Sequence, residues 1–283
     1  MPTVMLDHPG WFYAPDGRTH RVVTDDAHKL SLVTADHLAQ GLFIDCSPVG
    51  PVGTRTVVGY FDPGELCGPL SLTAPLRALG TVSRLANPWL WDALGTAILG
   101  QFATPKQVRH LYTQLCRAYG RLVRTHVGEV SLLPRPEVLV GLGLEDFIDL
   151  QLRVRQPTLQ LAASAYLDHG EGWSRFLSSD GKPVELVEAI AAVLPQLDRQ
   201  TIRRAVADYS NDFTIYPVDS LLRSSVCRLS ARHSWPVDNR EFHTEWQAMT
   251  GDQQSAWTVL TLAAGTNCYL SASSQDESTN PDV

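Results

Sequence analysis

Over about residues 1–75 the chain alternates apolar with polar positions or runs through β-branched stretches: RTHRVVT, KLSLVTA, GLFIDCS and TRTVVGYF. Glycine and proline groups (APDG, SPVGPVG, DPG) punctuate them, so this part predicts a small antiparallel sheet. From Pro88 the period changes to that of amphipathic helices. NPWLWDALGTAILGQ opens with Asn87 as N-cap and Pro88 as the first helical residue, and TPKQVRHLYTQLCRAYG opens likewise at Thr104 and Pro105 and stops at Gly120. Further helices are predicted in LPRPEVLVGLG, RQPTLQLAASAYLDHG, KPVELVEAIAAVLP, after Leu194, after Asp219, and in REFHTEWQAM and DQQSAWTVLTLAAG. The fold class is therefore α+β: a small N-terminal antiparallel β domain (1–80) followed by an all-α domain (81–268) with a helical hairpin at 183–210, then a polar tail (269–283) expected to be disordered.

Composition narrows the class. No apolar run is long enough to cross a bilayer and no leader pattern opens the chain, so a soluble, cytoplasmic protein without a membrane partner is expected. The lysine-poor, arginine- and alanine-rich usage has the character of a GC-rich bacterium. Five cysteines (46, 67, 116, 227 and 268) are scattered without a C-x-x-C pair, which argues against disulfides, a zinc knuckle or an iron–sulfur cluster. His233 and His243 lack metal-ligand spacing, so no metal and no cofactor are expected. The formal net charge of −7 counts against nucleic acid as a partner unless a local patch supplies the attraction.

An ordered series of short motifs is more specific than any of these. AILGQ (Ala97–Gln101) follows an NPW opening; a helix ending in AYG, the proline-marked LPRPEVLVGLGL, an LP…T hairpin (Leu194, Pro195, Thr201) and YPVDS (Tyr216–Ser220) come after it. Asp219 stands nineteen residues beyond Gln200. Over roughly residues 85–265 this succession resembles the helix-hairpin-helix (HhH-GPD) DNA glycosylase superfamily, and within it the alkylbase (3-methyladenine) branch, whose extra domain the β-rich N-terminal part is similar to.

The resemblance implies an all-α HhH-GPD glycosylase-like domain in which a nucleotide is flipped into a pocket between helices. The family's aspartate falls on Asp219, whose carboxylate would stabilise the sugar as the N-glycosidic bond breaks and help place the attacking water. Read from the residues alone, VDSLL is also an ordinary helix start with Asp219 as N-cap, and the two roles are compatible. Gln101 falls where family members probe the DNA near the flipped base. Phe102, Trp89, Trp91, Tyr216, Trp235, Trp246 and Trp257 are pocket or wedge candidates by location; most read as core, with Tyr216 and Trp257 the strongest for the pocket.

The sequence also departs from the family. The hairpin pattern L-P-G-x-G-x-x-T-A, whose turn amides hold a DNA phosphate, has Gln196 and Asp198 in place of its glycines and Ile202 in place of its alanine. Asp198 brings negative charge to the expected phosphate position. The position of the Schiff-base lysine of bifunctional members is Gln200, and no lysine follows Lys182, so β-lyase chemistry by that route is not expected. Arg199, Gln200, Thr201 and Arg203 are the hairpin candidates for contacting nucleic acid; Arg204, Arg223, Arg228 and Arg232 add to the same basic surface, which also reads as a solvated helix face. Three functions stay open: a monofunctional N-glycosylase removing a modified, alkylated base from DNA; an N-glycosidase acting on a nucleoside, nucleotide, RNA base or specialised metabolite; and a non-catalytic descendant that binds nucleic acid or protein.

Overall fold

The computed structural model describes residues 3–38, 41–50, 52–178, 181–230, 233–266 and 269–271. Cys268, Arg232 and all of the tail beyond Ser271 lie outside them. The N-terminal part holds β1 (Thr3–Met5), β2 (Phe12–Tyr13), β3 (Thr19–Thr24), β4 (Leu30–Leu38), β5 (Gly41–Pro48), β6 (Val58–Phe61), α1 (Leu70–Arg77) and β7 (Val82–Leu85). β2-β3-β4-β5 is an antiparallel meander. Its alternation is buried on both faces, because successive side chains of a strand point to opposite sides. Val23 and Val33 pack with Trp11 and with Val4 and Leu85 of a second sheet. Val22 and Leu32 pack with Val123 and Leu132 of a hairpin farther along the chain.

The helical part comprises α2 (Leu90–Leu99), α3 (Pro105–Tyr119), the hairpin strands β8 (Leu122–Thr125) and β9 (Gly128–Ser131), α4 (Pro136–Gly141), α5 (Leu144–Asp149), α6 (Gln156–Ser178), α7 (Pro183–Val193), α8 (Arg199–Ser210), α9 (Ser220–Leu229), α10 (Asn239–Thr250) and α11 (Gln254–Thr266). They gather into two cores. One joins α2, α3, α6, α7 and α8 around Trp91, Leu94, Ile98, Leu115, Leu159 and Ile202. The other joins α1, α9, α10 and α11 around Leu76, Leu222, Phe242, Trp246, Trp257 and Leu260, with Met5 and Val82 of the sheet. α2 is the axis of the first core, with nine of its residues buried. A Cβ on its Gly95 would stand 2.8 Å from Leu133 Cδ2, so any larger residue there would require the Leu133 side chain to shift.

Several expectations are corrected. The single sheet is two, and Val82–Leu85, beyond residue 80, belongs to the second of them. That sheet runs β10-β1-β7-β6, where β10 (Tyr269–Ser271) begins the segment expected to be tail; β10 lies antiparallel to β1, and β1 lies parallel to β7. The β8–β9 hairpin went unforeseen. α2 starts at Leu90, with Trp89 as its cap residue, two residues after Pro88. α3 follows expectation: Thr104 accepts from the Gln107 N–H, Gln107 returns a bond to the Thr104 N–H, and Gly120 ends the helix.

Candidate active site

Asp219 caps α9: its Oδ1 accepts the Leu222 N–H at 2.8 Å. The cap is one of two commitments. Oδ2 accepts from Arg204 Nε at 2.9 Å and Nη2 at 2.7 Å. The pair stands in a cavity of about 1100 Å³ between the two helical cores, with Ala93, Ala97 and Gln101 on one side and Phe213, Tyr216 and Leu262 on the other. Asp219 itself is only 6% exposed. The Tyr216 hydroxyl lies against Arg204 and Asp219, and its ring stacks on Phe213 at 5.4 Å. Burial, then the Asp219 charge, push the Tyr216 phenol up, so it stays protonated at every ordinary pH. Burial works to lower the Arg204 pKa, but Tyr216 and Asp219 outweigh it and leave it raised, so the guanidinium remains charged.

The cavity has a rim on the α2–α3 loop. Phe102 is fully exposed there, lines the opening, and holds a positive φ of 54°. A bulky residue in that region of backbone space is strained and calls for something that maintains it. Arg155 does so: its Nε donates to the Leu99 carbonyl at 3.1 Å and its Nη2 to the Gln101 carbonyl at 2.8 Å. The Gln101 side chain donates to Thr201 Oγ1 at 3.0 Å, which ties the rim to the hairpin helix.

The hairpin turn explains its missing glycines. Neither Gln196 nor Asp198 has a positive φ. Leu197 closes the turn through its N–H to the Leu194 carbonyl at 3.0 Å, and Leu194 and Leu197 are both buried. Asp198 is the N-cap of α8, and its Oδ2 accepts from the Thr201 N–H at 3.3 Å. A helix N-terminus is a natural anion site. Here the chain's own carboxylate occupies it.

A second polar cluster borders the cavity. Arg84, buried to 1%, donates to Asp7 (3.0 and 2.7 Å), Asp208 (2.5 Å) and Asn211 (2.8 Å) and lies over the Phe213 ring. Asn87, expected to cap a helix, instead donates to Asp208 and Asp92 and accepts from the Trp89 N–H. Asp92 gathers Arg21, His8 and Tyr112. Burial alone would raise the Asp92 pKa; His8, Arg21 and Tyr112 reverse this and hold it well below the usual carboxylate range. Asp7, His8, Arg84 and Asp208 all line the cavity, so the N-terminal sheet forms part of its wall.

The predicted site residues divide accordingly. Asp219, Gln101, Phe102, Tyr216, Gln200 and Thr201 line the cavity. Trp257 does not: it is buried against Trp246 and under Gly68 in the second core. The expected basic surface is largely engaged within the chain. Arg199 pairs with Glu188, Arg223 binds Asn239 and the Pro236 carbonyl and lies over Phe242, Arg228 binds the Gly265 carbonyl, and Arg204 turns inward to Asp219. Arg203 sits near His243, whose pKa is lowered by burial and then by that charge. His233 bonds to Glu245, and no group of His, Cys, Asp and Glu among the described residues could hold a metal ion. Sequence reading missed Asp7, Arg84, Asp208 and Lys106; they reach the cavity from distant segments, and only the AILGQ and YPVDS motifs gave a local signal.

No family sequence profile matches the chain, and no curated protein matches it in sequence. Solved structures do. MBOgg1 in complex with a low-affinity DNA ligand is 15% identical, covers 91% of this chain and 88% of its own, and superposes with a TM-score of 0.69. The 8-oxoguanine glycosylase/lyase of Clostridium acetobutylicum is 13% identical over 92% and 89%, with a TM-score of 0.67. The 3-methyladenine DNA glycosylase of Archaeoglobus fulgidus is 14% identical over 89% and 88%, with a TM-score of 0.65. The chain thus has the fold of the helix-hairpin-helix DNA glycosylases over about nine-tenths of its length. At these identities the likeness is one of fold, and it is shared by structures titled for oxidised and for alkylated bases alike. Among the described residues no helix is long and apolar enough to cross a membrane.

Proposed function

We propose that the protein is a monofunctional N-glycosylase that hydrolyses the bond between a modified base and its sugar in DNA, with alkylated bases among its candidate substrates. The observation that carries this reading is Asp219, a buried carboxylate at the inner end of a cavity whose rim carries a strained, fully exposed Phe102. A nucleotide rotated out of a duplex needs both parts: a pocket for the base and an aromatic surface at the gap it leaves. As the C1′–N bond lengthens, positive charge grows on the sugar, and Asp219 is the carboxylate that faces it. In this reading water completes the reaction: the hairpin offers Gln200 at the position of the Schiff-base lysine, and the lysine that lines the cavity, Lys106, stands on α3.

A second reading is favoured by one specific feature. Asp198 fills the anion site of α8, so the hairpin has no vacant phosphate grip, and an N-glycosidase acting on a nucleoside or nucleotide would not need one. The test is free-base detection by mass spectrometry with wild type and Asp219→Asn, on damaged duplex DNA and on a pool of modified nucleosides. Release from DNA that depends on Asp219 supports the first reading; release from the pool alone supports the second. No release from either, together with negligible duplex affinity at low salt, would leave a non-catalytic binding role.

A further inference from the structure

Heterolysis of an N-glycosidic bond creates two charges at once. The electron pair of the C1′–N bond goes to the base nitrogen, and the sugar becomes an oxocarbenium ion. Water then adds its oxygen to C1′ and gives up a proton, the base nitrogen takes one up, and the sum is glycoside plus water to free sugar end plus protonated base. The cavity holds one charge for each half. Asp219 is the anion. Arg204 is the cation beside it, engaged through Nε and Nη2. Its Nη1 is used in neither of those bonds and lies 3.8 Å from where a Cβ of Gly100, another cavity-lining residue, would stand, while the Tyr216 hydroxyl lies against the same guanidinium.

Stability does not account for the pair. Asp219 already serves as a cap through Leu222, and a part-buried ion pair adds little over apolar residues of similar volume. We propose that Arg204 is a catalytic residue that stabilises the negative charge of the departing base, so that the Asp219–Arg204 pair opposes, charge for charge, the dipole of the breaking bond. This rests on the N-glycosylase reading above and names its substrate class. The base is an uncharged one that leaves as an anion and offers an oxygen or nitrogen lone pair to a guanidinium. An N-alkylated cationic base leaves neutral, gains nothing from Arg204, and meets a like charge on entering.

The experiment is single-turnover excision from duplexes carrying uracil, 5-fluorouracil, hypoxanthine or the cationic 7-methylguanine, with the same bases as nucleosides in a parallel arm. Wild type, Arg204→Gln and Arg204→Lys are compared. Arg204→Gln is expected to slow the neutral bases by about 100-fold or more and 7-methylguanine by less than about fivefold. It is also expected to steepen the dependence of log rate on the acidity of the leaving base, which a purely structural role would not do. Arg204→Lys should restore part of the rate on the neutral series; if the glutamine variant does not fold, the slope measured with lysine decides. Equal loss on both classes with an unchanged slope, or no loss, overturns the assignment and leaves the N-glycosylase reading standing. Wild type that excises only 7-methylguanine overturns the substrate class. Wild type that releases no base in either arm overturns the reading and the inference together.

Discussion

Arg84, buried, and Arg204, part-buried, are both paired with aspartates on the wall of one cavity, although 120 positions separate them in the chain, and their surroundings differ. Around Arg84 every nitrogen is engaged: Asp7, Asp208 and Asn211 take its donors, and Asn87 carries the network on to Asp92, Arg21, His8 and Tyr112. Around Arg204 one carboxylate oxygen takes two nitrogens, the Tyr216 hydroxyl lies against the same guanidinium, and Nη1 is in neither Asp219 bond. A closed polar network fixes a seam; an open one has capacity left for a ligand. The first ties the N-terminal sheet to the helices. The second joins α8 to α9 on the cavity wall.

The contrast can be broken most sharply at Arg84. Replacing it by Ala strands Asp7 and Asp208 and should cost about 3–5 kcal/mol of stability, read from urea unfolding. The same measurement on Arg204→Gln should show a smaller loss of about 1–3 kcal/mol: one buried carboxylate loses its partner, but it keeps the Leu222 N–H and the neighbouring Tyr216 hydroxyl. Comparable losses would show that the Arg204 pair is also a structural seam. Acid sharpens the comparison next. Asp92 is depressed in the folded state, so its contribution to stability is present above the ordinary carboxylate pKa of about 4 and declines as pH falls below it. Thermal melts should therefore drop as pH is lowered through that range, and Asp92→Asn should flatten the drop.

Two smaller effects probe the rim and the turn. Phe102→Ala should leave the melting temperature nearly unchanged, because the ring is fully exposed and alanine keeps both the Cβ and the positive φ, while weakening duplex binding by about 1–3 kcal/mol in a titration. Asp198→Ala should cost about 1 kcal/mol as a lost cap and should tighten DNA binding, because it uncovers the α8 amides. Weaker DNA binding in that variant would show that Asp198 does not exclude phosphate.

How much of this was legible follows from distance along the chain. Thr104, Pro105 and Gly120 bound α3 because capping depends on residues within one turn. The cap at Asp219 was legible through VDSLL for the same reason, whereas its site role was read from the family resemblance. Asn87 shows the limit. Its position before Pro88 is that of a cap, yet Asp208, 121 residues away, draws its side chain into the network. Trp257 was misplaced because an aromatic on an apolar helix face looks the same whether it lines a cavity or a core. The direction of Arg204, towards Asp219 and away from solvent, depends on how α8 faces α9, which no local pattern encodes. The two-sheet arrangement was illegible for a like reason: β1 finds its neighbours at Val82 and Tyr269.

That last pairing orders the protein's life in time. β1 carries Met5, next to Asp7 on the cavity wall, and lies between β7 and β10. A growing chain therefore cannot finish its first strand's sheet until one of its last described segments has been made. The hairpin and the Asp219 helix can form earlier, but the strand that leads into Met5 and Asp7 of the chamber gains its second neighbour only when synthesis has passed residue 271.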